Sequence, residues 1–297
     1  MPRPATRAAL LLPAIIAAAC VHLDSQGHSV REEHRFKVTG QPDLRLTTFD
    51  GPIEIRSWDQ PEVLVEVEKR APARESLDRI EVKVNQQGNR IELEARRPMS
   101  GESFIGIGIN VSPQVRYIAT VPRNAAIVAR SGDGSIRIER ITGRIELRTD
   151  DGSIRGDELS GELTLTTGDG SVVLDDVEGS VEVTTNDGGV SVTGKLAGAR
   201  VRTGDGSVTL RAEPGSAMTN DWALSTSDGS IVLYLPNDFS ADIDAHTGDG
   251  RIRSEFKLTE DSEGERENRT VRGRIGNGGH TLKVRTGDGS IVLRAGV

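Results

Sequence analysis

From residue 123 to the C-terminus, apolar and polar side chains change places at nearly every step. Arg144-Ile145-Glu146-Leu147-Arg148-Thr149 is followed eighteen positions later by Glu162-Leu163-Thr164-Leu165-Thr166-Thr167. An alternation of this kind gives a strand one apolar face and one polar face. Ile136 with Ile138, Ile154, Val172 with Leu174, Val181 with Val183, and Val208 with Leu210 continue it. No helical period runs through the segment, and its glycine content opposes one. The pattern therefore predicts many short strands, each half-buried.

A second regularity lies over the first. Asp133-Gly134, Asp151-Gly152, Asp169-Gly170, Asp187-Gly188 and Asp205-Gly206 follow one another at intervals of 18 residues. Gly143, Gly161 and Gly179 stand midway between them, and Gly198 arrives one residue late. The spacing then loosens to Asp228-Gly229, Asp249-Gly250 and Asp288-Gly289. Two strands and two turns per period make one coil, which hides its apolar face only by stacking on another. The fold class expected is all-β: a β-solenoid of about eighteen residues per coil, its equivalent residues ~4.8 Å apart. Thr149, Thr167, Thr185 and Thr203 share the inward parity and should form a column beside the Asp-Gly corner.

Asp-Gly favours tight turns, because glycine accepts positive φ and aspartate accepts hydrogen bonds from nearby amides. Stacking sets the carboxylates in a row. Two charges ~4.8 Å apart repel by ~0.9 kcal/mol in water and ~3.5 kcal/mol at an effective dielectric of 20, so the row must be solvated or neutralised. Arg130, Arg148 and Arg202, each three residues ahead of an aspartate, are the candidates for neutralising it. The Asp-Gly pairs are accordingly read as structural turns, not as catalytic or metal-binding groups.

The first 122 residues are less regular. Arg3 and Arg7, the apolar run Leu10–Ala19 and the small residues Ala17-Ala18-Ala19 form an export signal over residues 1–20. Cys20, the single cysteine, follows directly, at the position of a lipoprotein's modified cysteine, although Ala17 stands where leucine is usual. Residues 21–35, polar and carrying His22, His28 and His34, suit a tether. Residues 36–122 read as an N-terminal β region, either a small sandwich or a solenoid cap, with one Asp50-Gly51 between alternating runs and a loop at "FIGIGINVSPQ". Residues 123–297 form the repeat domain, interrupted at 257–279 by a charged, glycine-rich insertion expected to be a mobile loop.

Composition narrows the chemistry. The chain has 297 residues, a formal charge of −8 and only 3 % aromatics. It lacks the basic stripe that nucleic acid requires. Five scattered histidines, with no HExxH and no second cysteine, make no metal motif. "GRIGNGG" (273–279) has no following helix to complete a phosphate site. Calcium-binding nonapeptide repeats place aspartate on every half-coil, whereas here it recurs only on alternate halves. A polysaccharide lyase or glycosidase needs two carboxyls in unlike environments, which a row of equivalent aspartates does not offer. Trp58, Trp222, Tyr117 and Tyr234 are too dispersed for a sugar platform, and an exported, tethered chain does not suit a cytosolic filament.

"LRLTTFDGPIEI", "TVPRNAAI", "RSGDGSIRIERITGRIELRTDDGSI" and "VRGRIGNGGHTLKVRTGDGSIVLR" together resemble the bacterial adhesin-like β-strand-repeat family of unknown function, over roughly residues 36–297. The resemblance implies export or membrane anchoring and no catalytic residues. The function expected is a non-enzymatic envelope module, an adhesin or scaffold with no cofactor. It would be anchored through a lipid on Cys20, facing the periplasm or the outside, with an envelope protein or surface glycan as partner. The alternatives are a polysaccharide-active enzyme and a calcium-binding repeat protein.

Overall fold

The structure, a computed structural model, describes residues 18–24, 27–97, 112–258 and 269–296. It is all-β apart from one short helix. The N-terminal part contributes β1 (Ala18–Asp24), β2 (Gly27–Lys37), β3 (Asp43–Thr47), β4 (Ile53–Trp58), β5 (Glu62–Ala71), the helix α1 (Arg74–Asp78), β6 (Glu81–Gln87), β7 (Arg90–Arg96) and β8 (Gln114–Pro122). Strands β1, β2 and β5 pair antiparallel, as do β5 with β8 and β6 with β7. The polar segment expected to be a tether is thus a strand from Gly27, paired along its whole length with β5. Its alternation is real but carries charged residues inward: Glu32 pairs with Lys69 at 2.8 Å and His34 is buried. Helix α1 was not legible as a helix; it spans only five residues, has no side-chain cap and holds Leu77 in the core. Residues 1–17, most of the expected export signal, and most of "FIGIGINVSPQ" lie outside the described residues.

The repeats follow as β9 (Ala126–Ser131), β10 (Ile136–Glu139), β11 (Thr142–Thr149), β12 (Ile154–Thr166), β13 (Val172–Thr184), β14 (Val190–Arg202), β15 (Val208–Ala212), β16 (Trp222–Thr226) and β17 (Ile231–Leu235). They stack in parallel with residues eighteen apart side by side: Ile136 beside Ile154, Leu163 beside Val181, Val190 beside Val208. Two ladders result. One runs β6-β7-β3-β9-β11-β12-β13-β14-β16 and the other β1-β2-β5-β8-β4-β10-β12-β13-β14-β15-β17. The long strands β12, β13 and β14 belong to both, bending from one face to the other. The N-terminal region is therefore hydrogen-bonded into the same stack, since β3 pairs with β9 and β4 with β10.

The core is a set of columns between the ladders. Ile53, Ile136, Ile154, Val172, Val190, Val208 and Ile231 are register partners, all buried and all β-branched, which suits a pleated ladder. Gly156 leaves a gap in the adjoining column of Ile138 and Leu174, and Leu159 turns in to fill it.

The C-terminal strands β18 (Ala241–Thr247), β19 (Ile252–Ser254), β20 (Thr270–Ile275), β21 (Thr281–Thr286) and β22 (Ile291–Ala295) do not stack in chain order. Strand β21 lies between β16 and β18, and β22 between β17 and β19. The last coil in sequence is inserted beneath the one before it. Part of the insertion expected to be a mobile loop is ordered: Thr270–Ile275 runs antiparallel along β18 and closes that edge. Residues 259–268 lie outside the described residues. No helix among those described is long and apolar enough to cross a membrane.

Candidate functional site: the stacked Asp-Gly corner

From β3 to β4, and in every coil from β9 onward, the crossing from the first ladder to the second is made at an Asp-Gly. The corners lie one above another in the order Gly51, Gly134, Gly152, Gly170, Gly188, Gly206, Gly229, Gly289, Gly250, each glycine's Cα facing the carbonyl of the one beneath. The reason for glycine differs from the sequence expectation. Apart from Gly51, none of these glycines occupies the left-handed region. What forbids a side chain is the neighbour: a β-carbon on Gly170 would overlap the carbonyl oxygen of Gly152, and one on Gly188 that of Gly170. Left-handed backbone occurs instead at the opposite corner, at Gly143, Gly161 and Gly179 and at the non-glycine residues Arg140, Glu158 and Asp176, with φ of 56°, 51° and 51°.

Hydrogen bonds continue through the corner. The amide of Asp150 donates to Gly132 O at 2.8 Å, Asn186 to Gly168 O at 2.7 Å and Ser227 to Gly204 O at 2.7 Å. Beneath this ladder lies a column of buried hydroxyls comprising Thr48, Ser131, Thr149, Thr167, Thr185, Thr203, Thr226, Thr286 and Thr247. Thr167 Oγ1 donates to Gly152 O at 2.8 Å, and Thr286 Oγ1 to Gly229 O at 2.8 Å. Several also accept from the glycine amide three residues on, as Thr203 does from Gly206 at 3.2 Å. Each hydroxyl thus joins its own corner to the one below, satisfying backbone groups that have no access to water.

The aspartate side chains point outward. Asp133, Asp151, Asp169, Asp187, Asp205, Asp228, Asp249 and Asp288 are all exposed. Asp50 is half-buried, and burial together with the neighbouring Asp133 carboxylate raises its pKa above the ordinary aspartate value. The arginines expected to neutralise the row do not do so in the described ion pairs. Arg130 reaches Glu146 at 2.8 Å, and the aspartate that does gain an arginine, Asp249, is 3.4 Å from Arg269. Solvent carries most of the screening.

Two shallow depressions flank the corner. One of about 330 Å³ is lined by Thr48, Phe49, Arg130, Gly132, Arg148 and Asp150. The other, of about 360 Å³, is lined by Asn186, Asp187, Arg202, Gly204, Ser225 and Ser227. Among the described residues, no group of three His, Cys, Asp or Glu side chains is placed to hold a metal ion. His246 bonds Thr270 Oγ1 at 2.8 Å and His280 lies 3.6 Å from Asp221. Cys20 falls within β1. Of the aromatics, Tyr117 and Trp222 are fully buried, and Trp58 Nε1 donates to Glu62 O at 2.8 Å. Tyr234 is different: it is half-exposed on the outer face of the second ladder, with the Arg211 guanidinium 4.0 Å and that of Arg294 5.5 Å from its ring centre. Outward parity of Arg211 and Tyr234 was visible in the sequence. Their meeting with Arg294 was not, because it depends on the inserted last coil.

Stacked parallel coils, a backbone-ladder corner and a buried hydroxyl column define an all-β repeat protein. The chain belongs to the Toastrack DUF4097 family, whose profile matches residues 41–294, an adhesin-like family of unknown function. Among solved structures it is similar to a provisionally named lipid-binding protein from Parabacteroides distasonis, at 13 % identity and a TM-score of 0.47, covering 89 % of this chain and 96 % of that one. A provisionally named adhesin from the same organism gives 12 % and 0.46, and one from Bacteroides fragilis 12 % and 0.43, with the same coverage. No curated protein matches the sequence.

Proposed function

We propose that this protein is a non-catalytic module of the bacterial cell envelope, an adhesin or scaffold that presents its ladder faces to an envelope protein or surface glycan. The observation that supports this best is the sameness of the corner. From Asp133 onward the aspartates are equally exposed, whereas hydrolytic chemistry needs one carboxyl set apart from another. The unit of the module is a coil of about eighteen residues, and the family assignment agrees with a surface role. In this reading the protein is exported and held by a lipid on Cys20, which intact-mass analysis of the mature N-terminus tests. Retention of the purified chain on an envelope polysaccharide fraction, without release of reducing ends, is the expected result. Turnover of the polysaccharide would replace the module with an enzyme, whose starting point would be Asp50, the one aspartate of the row with a raised pKa. Calcium-dependent retention abolished by Asp169→Asn would make the row a cation site.

A further inference from the structure

The outer face of the second ladder changes character along its length. Near the N-terminal end its charges are matched: Arg137 pairs with Glu139 at 2.6 Å and Arg116 with Glu54. Beyond β14 the outward positions are Thr209 and Arg211, Val232 and Tyr234, Val292 and Arg294, then Arg253. The strands of this half carry three outward arginines, on a protein whose overall charge is −8. Two carboxylates, Glu213 and Glu255, stand just past the ends of β15 and β19, and Glu255 accepts from the amide of Ala295 at 3.1 Å. Among the described ion pairs, none involves Arg211, Arg253 or Arg294.

Tyr234 organises two of them. Arg211 and Arg294 are its register partners on either side, and both guanidinia lie over its ring. A guanidinium stacked on an aromatic face keeps its N–H fork free in its own plane, the geometry that meets a carboxylate with two parallel hydrogen bonds. The strands that carry them are two ladder steps apart, ~10 Å along the stack, and both guanidinia lean in toward the one ring between them. Around them Thr209, Val232 and Val292 give a smooth, uncharged floor. A linear arrangement of two forks on a flat strip fits an extended polymer that carries carboxylates along its length. It fits an anionic bilayer less well, since a bilayer rewards a broad basic area and inserted apolar side chains, neither of which this strip has.

We infer that the strip around Arg211, Tyr234 and Arg294 is a binding site for a carboxylated polysaccharide chain of the polyuronate type. The inference rests on the binding-module reading and gives it a ligand class and a place. Tyr234 acts as a positioning residue, holding both guanidinia over its ring.

The test measures binding of polygalacturonate by the full chain, against carboxyl-reduced polygalacturonate and against vesicles containing an anionic phospholipid. Binding of the acidic polymer alone is expected. It should weaken roughly tenfold for each of Arg211→Gln and Arg294→Gln, the scale of a charge-assisted hydrogen bond. Tyr234→Leu should weaken it while leaving circular dichroism and thermal midpoint near wild type. Arg137→Gln, on the ion-paired half of the same face, should change nothing. Equal losses in Arg137→Gln and Arg211→Gln, binding of the reduced polymer, or preference for vesicles would overturn the site. Retention on the envelope polysaccharide fraction that survives Arg211→Gln with Arg294→Gln would remove this site while leaving the module reading intact.

Discussion

The two corners of each coil solve one problem differently. At the Asp-Gly corner the distance from the buried hydroxyl to the first inward aliphatic never varies: Thr48 to Ile53, Ser131 to Ile136, Thr149 to Ile154 and Thr226 to Ile231 all span five residues. At the opposite corner the chain is free to vary. It is tight at Gly143, Gly161 and Gly179, slips its register between Gly179 and Ser180, and lengthens to the loops after Ala212 and Leu235. One corner is tied coil to coil by backbone amides and hydroxyls. The other is shaped coil by coil, through glycine or through a strained residue such as Glu158. Backbone pairing also runs through this second corner, but insertions accumulate here, where no column of buried hydroxyls has to be threaded.

The largest effect should come from putting a side chain into the invariant corner. Gly170→Ala drives a methyl into the Gly152 carbonyl and forces the coils apart, costing roughly 3 kcal/mol or more. Denaturant midpoints would show it, and a neutral result would mean the corners are not in backbone contact. Thr167→Val keeps the shape and branching but removes the hydroxyl that donates to Gly152. It should cost about 1–2 kcal/mol in the same assay. At the opposite corner the sign reverses. Glu158→Gly relieves a left-handed residue and should gain about 0.5–1 kcal/mol, after glycine's own entropy cost is subtracted.

The smallest effect belongs to the carboxylates. Asp50 is penalised for ionising in the folded state, so the wild type carries that penalty above its raised pKa and sheds it below the unfolded value of 3.8. Asp50→Asn should therefore raise the thermal midpoint slightly at pH 7, by a few tenths of a kcal/mol after solvent screening, and the gain should vanish near pH 3. A gain that persists in acid would assign the effect to hydrogen bonding instead of charge.

Periodicity revealed the all-β stack, the inward columns and the row of corners, because each follows from spacing along the chain. It misjudged the glycine, since positive φ is a local property whereas the clash with the coil below exists only once coils are stacked. It read residues 21–35 as a tether because the charge on Glu32 and the polarity of His34 hid an alternating strand, in which Glu32 is paired with Lys69 at 2.8 Å. Nothing local marked the order of the final coils: "HTGDGRI" and "RTGDGSI" carry the same corner and are interchangeable by pattern. The Tyr234 site was lost with that order.

The insertion of β21 and β22 between earlier coils matters for a chain synthesised from its N-terminus. Until Thr281–Ala295 arrives, β16 and β17 have no upper partner, and β18 has nothing beneath it. Completion of the stack waits for β21 and β22. A product cut short by premature termination or by a protease would display two long parallel edges, open to pairing with other chains. The fold thereby delays its own closure: β16 and β18 are joined only once β21 has come between them.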